Sequence, residues 1–416
     1  MDDVLMTLCR KLRRSLAALA ALTVLVLAAG CASPTRLPAV PGALQYEAVV
    51  PGMPNIRYRQ PQVDALLKDL RTTVEREQAE LRRTGYDGPL LPISFLALSG
   101  GGENGAFGAG LLVGWTAHGD RPEFNVVTGI STGALIAPFA FLGSRYDAQL
   151  RRLYTEVSAV DVLQLRSLTS ALFDDALADN LPLQRLVEAN VTQEVLDAIA
   201  AESRKGRMLL VGTTDLDAQR SVYWNLTLMA ESGSPQALPL IRKILVASAA
   251  IPGELPPAMV DVEAQGQRYQ EMHVDGGTTQ QVFMLPPELV MTSVARRERT
   301  IYVIRNSRMT VESSEVKRDA LAIAGRAVAS LIHTQGVGNL YEIATLAQRD
   351  GAHFRLAYIP DSFDHELPEA FDRKYMNDLF QVGYELGVGG YPWVTRPPGM
   401  GVGDEPGGGG GGGGGK

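Results

Sequence analysis

One serine stands between two glycines where an apolar run meets a small-residue segment. Residues 129–133 read G-I-S-T-G, which places Ser131 at the centre of a G-x-S-x-G motif. This motif serves a nucleophile when a buried strand turns sharply into a helix, because the turn exposes the serine oxygen and requires small neighbours. The N-terminus of such a helix also directs its positive end at the serine. We therefore interpret Ser131 as a nucleophile, with a helix-capping serine as the alternative.

A second glycine cluster comes earlier in the chain. Residues 100–105 read G-G-G-E-N-G and fall between a predicted strand and a predicted helix. Such a loop holds a phosphate or a dinucleotide in some proteins, and in others its amides stabilise an oxyanion. A dinucleotide site needs an acidic residue that ends the second strand, whereas Glu123 precedes that strand and no Walker Gly-Lys-Ser/Thr follows the loop. The second strand ends in the Ser131 turn instead, which favours an oxyanion hole.

A serine nucleophile needs a general base. The chain has five histidines, none in a distinctive local pattern: His118, His273, His333, His353 and His365. One aspartate is more distinctive, since Asp275 ends a predicted strand and is followed by Gly276 and Gly277. An isolated Asp-Gly-Gly is most often a plain turn. From the residues alone the base therefore stays open between Asp275 and a late histidine, as in a Ser-Asp-His triad.

The order of the three motifs, G-G-G-x-x-G, G-x-S-x-G and D-G-G, resembles the patatin-like phospholipase family. Two further segments are similar to that family: residues 213–216 read T-T-D-L after a strand, and residues 247–252 read A-S-A-A-I-P ahead of Pro256 and Pro257. The similarity covers residues 91–280, which is under half of the chain. The resemblance implies an α/β fold with three layers, α/β/α, around a mostly parallel central sheet.

The resemblance also implies a Ser–Asp dyad and a lipid or acyl-ester substrate. Ser131 would attack the ester carbonyl, and Asp275 would take the serine proton and pass it to the leaving alcohol. Water would then release the fatty acid from the acyl-enzyme. Backbone amides would form the oxyanion hole: Gly100, Gly101, Gly102 and Thr132. The remaining motif glycines are Gly105, Gly129, Gly133, Gly276 and Gly277. Neither a cofactor nor a metal ion is expected.

One position departs from the family pattern. Family members usually carry Arg or Lys where this chain has Asn104, and Glu103 adds a negative charge beside it. A cation at this position would help to bind a lipid phosphate or brace the loop. Its absence weakens the expectation of a phospholipid substrate and leaves the ester chemistry unaffected, so a neutral lipid, a lysolipid or a simple acyl ester fits equally well.

The elements that position these motifs alternate between strands and helices. Apolar runs predict strands at residues 93–98, 124–130, 208–213, 222–225, 269–274, 300–304 and 354–359. Helices are predicted at residues 62–83, 105–118, 132–142, 241–250 and 373–386, and a long helix at 315–349 that breaks near Gly336 and Gly338. The alternation predicts a mostly parallel sheet with helices on both faces.

The composition fits this fold and excludes several other classes. With 416 residues, 45% of them hydrophobic and 20% charged, the chain suits a large core and not a wholly disordered protein. The net charge of -7 argues against nucleic acid as the main partner. Two cysteines exclude a disulfide-stapled scaffold. Asp174, Asp175 and Asp179 lack the spacing of a calcium loop, so we interpret them as a solvated helix face.

The N-terminus has the layout of an export signal. Basic residues up to Arg14 are followed by the uncharged segment 15–29 and by Ala-Gly before Cys31. This ending resembles a bacterial lipobox, in which the cysteine is acylated, although Ala28 stands where leucine is usual. The alternatives are an uncleaved anchor or cleavage elsewhere. Ala32 is not the aspartate of an inner-membrane retention signal, which favours an outer-membrane lipoprotein of the bacterial envelope.

These observations divide the chain into six segments. We expect a signal peptide (1–30), a proline-rich tether (31–61), an amphipathic helix (62–88), a catalytic domain (89–310), a helical C-terminal extension packing on that domain (311–396) and a glycine-rich tail (397–416). The expected activity is that of a serine acyl hydrolase resembling phospholipase A or lysophospholipase. The alternatives are an esterase with a Ser-Asp-His triad and a non-catalytic lipid-binding lipoprotein.

Overall fold

The computed structural model describes residues 36–60, 63–166, 175–311 and 315–400. The expected signal peptide, the proposed acylation site at Cys31, Asp174 and nearly all of the glycine-rich tail lie outside these ranges. Within them, no helix combines the length and the apolar character required to cross a membrane.

The described chain alternates strands and helices as the apolar pattern predicts. The strands are β1 (Arg57–Arg59), β2 (Ile93–Leu98), β3 (Val126–Ile130), β4 (Gln164–Leu165), β5 (Ala178–Asp179), β6 (Met208–Asp215), β7 (Arg220–Asn225), β8 (Ala258–Ala264), β9 (Gln267–Asp275), β10 (Arg299–Arg305) and β11 (His353–Tyr358). The helices are α1 (Asp64–Arg83), α2 (Gly105–His118), α3 (Thr132–Leu142), α4 (Asp147–Thr155), α5 (Ala159–Val162), α6 (Leu181–Asn190), α7 (Gln193–Arg204), α8 (Leu226–Glu231), α9 (Ala237–Ser248), α10 (Ala320–Arg349) and α11 (Arg373–Val388).

Five parallel strands form the centre of the large sheet, in the order β6-β3-β2-β10-β11. Strand β7 pairs with β6 and β1 pairs with β7, both antiparallel. The sheet is therefore mostly parallel, which confirms the expected α/β class. The segment 311–396 is not only a helical extension, because β11 forms the last strand of this sheet.

Strand β6 is longer than its neighbour β3, and this difference arranges the site. Residues 208–212 of β6 pair with β3, and residues 213–215 pair on the same edge with the antiparallel strand β9. Ile130 is opposite Gly212, and Asp275 is opposite Thr213. The residue that follows β3 and the residue that ends β9 are therefore brought side by side.

Side chains alternate between the two faces of the sheet and form two cores, as expected for a three-layer α/β/α fold. On β2, Leu96 and Leu98 point into the first core, while Phe95 and Ala97 point into the second. The first core is covered by helices that include α2, α3, α9 and α11, and the second by α1 and the C-terminal half of α10.

Residues 36–60 are not the extended tether expected from their prolines. The apolar residues between the prolines are buried against the body of the protein: Val40, Ala48, Val50, Met53 and Ile56. Both guanidinium groups of β1 pair with Glu271 of β9, at 2.5 Å from Arg57 and 2.6 Å from Arg59. Proline spacing alone did not reveal these long-range contacts.

Helix α10 runs without a break through Gly336 and Gly338, contrary to expectation. A helix tolerates an interior glycine at a cost of about 1 kcal/mol, and packing of the following turns, at Leu340 and Ile343, offsets it. At Gly336 a β-carbon would lie 2.8 Å from Nη1 of Arg305, so the glycine permits a close approach to the end of β10.

Candidate active site

Ser131 occupies a strained turn between β3 and α3. Its φ of 54° is unusual for a residue with a side chain. Two glycines make the turn possible, since a β-carbon at Gly129 would lie 2.5 Å from the Gly133 carbonyl oxygen, and one at Gly133 would lie 2.4 Å from the Leu98 carbonyl oxygen. The strand–turn–helix context predicted for the G-x-S-x-G motif is therefore present.

A second serine braces this turn. The Ser131 amide donates to Oγ of Ser248 at 3.0 Å, and that hydroxyl donates to the Gly212 carbonyl at 2.7 Å. Ser248 is fully buried at the end of α9 and links the turn to β6. The sequence placed Ser248 in a family-like segment, but no local pattern indicated this contact.

The hydroxyl of Ser131 donates to Oδ2 of Asp275 at 2.6 Å. The other carboxylate oxygen, Oδ1, accepts the Gly277 amide at 2.6 Å, so the D-G-G turn fixes the carboxylate. The Asp275 amide donates to the Ala250 carbonyl at 2.8 Å, which ties the end of β9 to the loop after α9. The structure thus joins the two residues that the motifs singled out.

Burial raises the pKa of Asp275 to about 7. The hydrogen bonds from Ser131 and Gly277 act in the opposite direction, because they favour the ionised form, and the negative charge of Glu254 raises the pKa further. A carboxylate of this pKa accepts a proton near neutral pH far better than an ordinary aspartate.

Backbone amides of the glycine-rich loop lie beside this pair. The amides of Gly101, Gly102 and Thr132 have no hydrogen-bond partner among the described residues. Gly100 differs, because its amide donates to the Gln281 carbonyl at 3.0 Å and is not available to an oxyanion. Our expectation for Gly100 is thereby corrected; a β-carbon there would lie 3.2 Å from that of Ser131, so its smallness matters instead.

Asn306 holds the glycine-rich loop through hydrogen bonds on either side of it. Its side chain donates to the Ser99 carbonyl at 2.9 Å and accepts the Gly108 amide at 3.1 Å. A β-carbon at Gly101, whose φ is +154°, would lie 2.1 Å from the Asn306 carbonyl oxygen. Asn306 follows β10 and lies far from the motifs in sequence, so it was not predicted.

An apolar pocket opens at Ser131. It encloses an empty space of about 890 Å³, part of it open to solvent. Aliphatic and aromatic side chains line most of it, including Leu135, Phe139, Leu163, Val187, Leu245 and Met376. Such a lining suits an acyl chain and not a sugar or a nucleotide.

One acidic residue lines the pocket within the described chain. Glu254 lines the pocket together with Ser131 and Gly102, and no lysine, arginine or histidine lines it within the described chain. Burial raises the pKa of Glu254, and it raises that of Glu103 as well, with the charge of Glu254 adding to the effect. Oδ1 of Asn104 accepts a hydrogen bond from the Tyr375 hydroxyl at 2.7 Å, which connects the loop to α11.

Four of the five histidines have partners other than Ser131 and Asp275. His273 lies between Thr213 and Glu271, at 2.9 and 3.1 Å. The partners of three others are Val388 for His118, Glu298 for His353 and Asp378 for His365. His333 lies on α10. The hydrogen bonds of the Ser131 hydroxyl and the Asp275 carboxylate go to each other and to Gly277, which favours the aspartate as the base.

One buried cluster has ligand types suited to a metal ion: Asp215, Glu271 and His273. Both oxygens of Glu271 already bind the guanidinium groups of Arg57 and Arg59. Two adjacent cations repel a metal ion, so we interpret this cluster as an ion-pair network. Asp175 and Asp179, expected on a helix face, lie on a bend and on β5, and both are within 4.0 Å of Arg166.

A family model described as patatin-like phospholipase matches residues 96–286, a range that contains both Ser131 and Asp275. This match confirms the resemblance predicted from the motifs: residues 96–286 are similar to a patatin-like phospholipase domain. The family supports a lipolytic acyl hydrolase in general terms.

Among solved structures, the chain is similar to the crystal structure of VipD from Legionella pneumophila, with 11% sequence identity and a TM-score of 0.33. The match covers 71% of this chain and 66% of the VipD chain. No curated protein matches the sequence.

Proposed function

We propose that this protein is a serine acyl hydrolase in which Ser131 is the nucleophile and Asp275 the general base. The observation that carries the proposal is the 2.6 Å hydrogen bond from Ser131 Oγ to Asp275 Oδ2, at the mouth of an apolar pocket. A hydroxyl so placed in a strained strand–helix turn has the geometry of an activated nucleophile.

In the acylation step, Ser131 Oγ attacks the ester carbonyl carbon while its proton moves to Asp275 Oδ2. The negative charge that develops on the carbonyl oxygen is stabilised by the amides of Gly101, Gly102 and Thr132, which have no other acceptor among the described residues. Collapse of the tetrahedral intermediate breaks the bond to the alcohol oxygen, which takes the proton from Asp275. The fatty acyl group remains on Ser131 as an ester.

In the deacylation step, water attacks the acyl-serine carbonyl and gives a proton to Asp275. The Ser131 oxygen then leaves and recovers that proton, which restores the hydrogen-bonded pair. A single carboxylate serves both steps because its pKa of about 7 allows it to accept and return a proton near neutral pH.

The pocket favours an ester with a long acyl chain and an uncharged alcohol portion. The apolar walls accept hydrocarbon, whereas the carboxylate of Glu254 in the lining, with Glu103 next to Gly102, disfavours a phosphate. Asn104, which stands where the family usually has a basic residue, also makes the binding of a phosphate less favourable. We therefore propose neutral lipid esters as better substrates than anionic phospholipids.

The proposal is tested by ester turnover. Ser131→Ala and Asp275→Asn should each lower kcat/KM for a p-nitrophenyl ester by at least roughly 1,000-fold, as loss of a nucleophile or its base does in other serine hydrolases. Ser144→Ala and Asp364→Asn change exposed residues of the same types and should leave turnover unchanged. Full activity of either Ser131→Ala or Asp275→Asn would disprove the dyad.

The two alternatives give different results in the same assay. A Ser-Asp-His triad requires that replacement of one histidine abolish turnover, whereas the Ser131–Asp275 dyad requires that none does. A non-catalytic lipid-binding protein would give no turnover in the unmodified chain. Hydrolysis of a panel of lipids, with products identified by mass, defines the head group.

We also propose that the chain is exported and acylated at Cys31, which would hold the active site at a membrane of the bacterial envelope. The support for this is the basic cluster, the uncharged run and the Ala-Gly-Cys ending of the N-terminal sequence.

A further inference from the structure

The N-terminal half of α10 extends beyond the sheet on the side of the active site. The helix has 30 residues and is about 45 Å long, whereas β10 has seven residues and spans about 23 Å. The helix ends just before β11 begins, so its C-terminus lies at the N-terminal edge of the parallel strands. Gly336 lies against the side chain of Arg305, the last residue of β10. Residues 320–335, which precede Gly336, therefore continue past the edge of the sheet that carries Ser131.

The apolar stripe of this extension is exposed. Ile323, Val328 and Leu331 are 53%, 51% and 69% exposed. Their stripe, at helical spacing, is completed by Ala320, Ala324 and Ala327, which are also exposed. Arg326 and His333, on the opposite side, are only partly exposed. Gly325, Ala329 and Ser330, on other sides of this segment, are exposed as well. A surface helix normally turns its apolar stripe to the core, whereas the described chain leaves this stripe uncovered.

The active site and the start of the described chain lie at the same edge. Gln335 of α10 donates to the Thr279 carbonyl, just after the D-G-G turn that holds Asp275. Arg36, the first described residue, forms an ion pair with Asp217 at 2.5 Å, in the turn that follows β6. Residues 1–35, with the uncharged segment 15–29 and Cys31, therefore join the body at the edge from which α10 extends.

We propose that residues 320–331 of α10 dock on a lipid surface, with Ile323, Val328 and Leu331 below the head groups. In this arrangement the helix lies in the plane of the lipid surface. This docking holds the Ser131 pocket over the bilayer, which supplies the acyl ester, and in this respect it rests on the proposed function. Lys317 and Arg318, exposed just before the helix, contact lipid phosphates at the rim.

The position of the helix is tested without reference to catalysis. The full chain with Ser131→Ala and Val328→Trp is mixed with phosphatidylcholine vesicles whose acyl chains carry bromine, a quencher of tryptophan fluorescence. We expect the added tryptophan to be quenched by at least roughly half, since docking places it among the acyl chains. The control is Val388→Trp at the far edge, near the end of α2, where no quenching is expected.

The contribution of the docked helix to activity is tested by a polar triple variant, Ile323→Gln/Val328→Gln/Leu331→Gln. Loss of three partly inserted apolar side chains should lower hydrolysis of esters in phosphatidylcholine vesicles by at least roughly tenfold, with turnover of a soluble p-nitrophenyl ester unchanged. The matched control is Leu91→Gln/Val388→Gln, which removes exposed apolar side chains at the opposite edge and should retain both activities.

The outcomes separate the two proposals. Absence of quenching at Val328→Trp overturns the docking, as does a dimer in sedimentation that dissociates in the triple variant, because a second copy would then cover the stripe. Equal loss of soluble and vesicle activity in the triple variant also overturns it, since that result indicates a structural role. No turnover in the unmodified chain disproves the proposed function, while the quenching result still decides the docking.

Discussion

At the scale of single residues, the proposed chemistry depends on one buried carboxylate. Desolvation raises the pKa of Asp275 to about 7, although two hydrogen bonds favour its ionised form. A raised carboxyl pKa adds stability at low pH, and this stability is lost as the pH rises through 7. The burial that makes Asp275 a useful base therefore costs the folded state some stability in the range where the base is ionised.

The charge of Glu254 gives a test at this scale. Because that charge raises the pKa of Asp275, Glu254→Gln should lower it. Only ionised Asp275 accepts the Ser131 proton, so kcat/KM should rise with pH through a midpoint near 7 in the unmodified protein. We expect the midpoint to move to lower pH in Glu254→Gln, by up to about one unit.

The measurement is a pH profile of kcat/KM for a soluble ester. Glu298→Gln removes an exposed carboxylate near the far edge of the sheet and should leave the midpoint unchanged. A midpoint that moves to higher pH in Glu254→Gln, or that stays in place, would contradict the assignment of Asp275 as the titrating base.

At the scale of elements, the sequence predicted the parts of the fold that local patterns determine. Strand β2 and helices α2 and α3 have the predicted bounds, because apolar runs and small residues identify them without reference to distant contacts. Strand β1 was not predicted, since its R-Y-R sequence becomes a buried strand only through pairing with β7 and with Glu271. Long-range partners determine such elements.

The candidate site, too, was predicted only where local patterns determine it. Ser131 and Asp275 were identified from motifs, because each motif includes the glycines that its own turn requires. Three other contacts were not predicted, because they join segments far apart in sequence. They are the hydrogen bonds of Ser248 and Asn306 and the bond from the Gly100 amide to Gln281. The register of β9 on β6, which brings the two motifs together, also lies beyond local pattern.

The close packing of α3 on β2 gives a prediction at this scale. Gly133→Ala would place a methyl group 2.4 Å from the Leu98 carbonyl oxygen, so α3 and the Ser131 turn must shift. We expect the free energy of unfolding to fall by about 2–3 kcal/mol and ester turnover to fall with it. Denaturant unfolding and kinetics measure the two effects.

Gly338→Ala is the matched control, because it lies inside α10 with nothing within 4 Å of the added carbon. It should leave stability unchanged or raise it by up to about 1 kcal/mol. If Gly133→Ala behaved like this control, the close approach of α3 to β2 would be wrong.

At the scale of the whole molecule, the edge of the sheet that carries Ser131 also receives the start of the described chain at Arg36 and the extension of α10. Segment 36–60 packs against the body instead of acting as a tether, and its first residue, Arg36, lies at this edge. An acyl group on Cys31 would therefore be attached on the side of the molecule that carries the pocket.

Acylation itself is tested at Cys31. In a two-membrane bacterial host given labelled fatty acid, the full chain should carry the label, and its mature form should begin at Cys31. Cys31→Ser should lose the label entirely, because the thiol is the acylated group, whereas Cys9→Ser should keep it. A label that persists in Cys31→Ser would exclude the lipobox interpretation.

The most direct test of the central proposal is labelling of the folded, full-length protein with a fluorophosphonate, followed by peptide mass mapping. We expect one adduct, on Ser131, because Asp275 makes this serine far more nucleophilic than any exposed one. In Asp275→Asn the adduct should form at least roughly 100 times more slowly. An adduct on a different serine, or none in a protein that still hydrolyses esters, would contradict the assignment of Ser131 as the nucleophile.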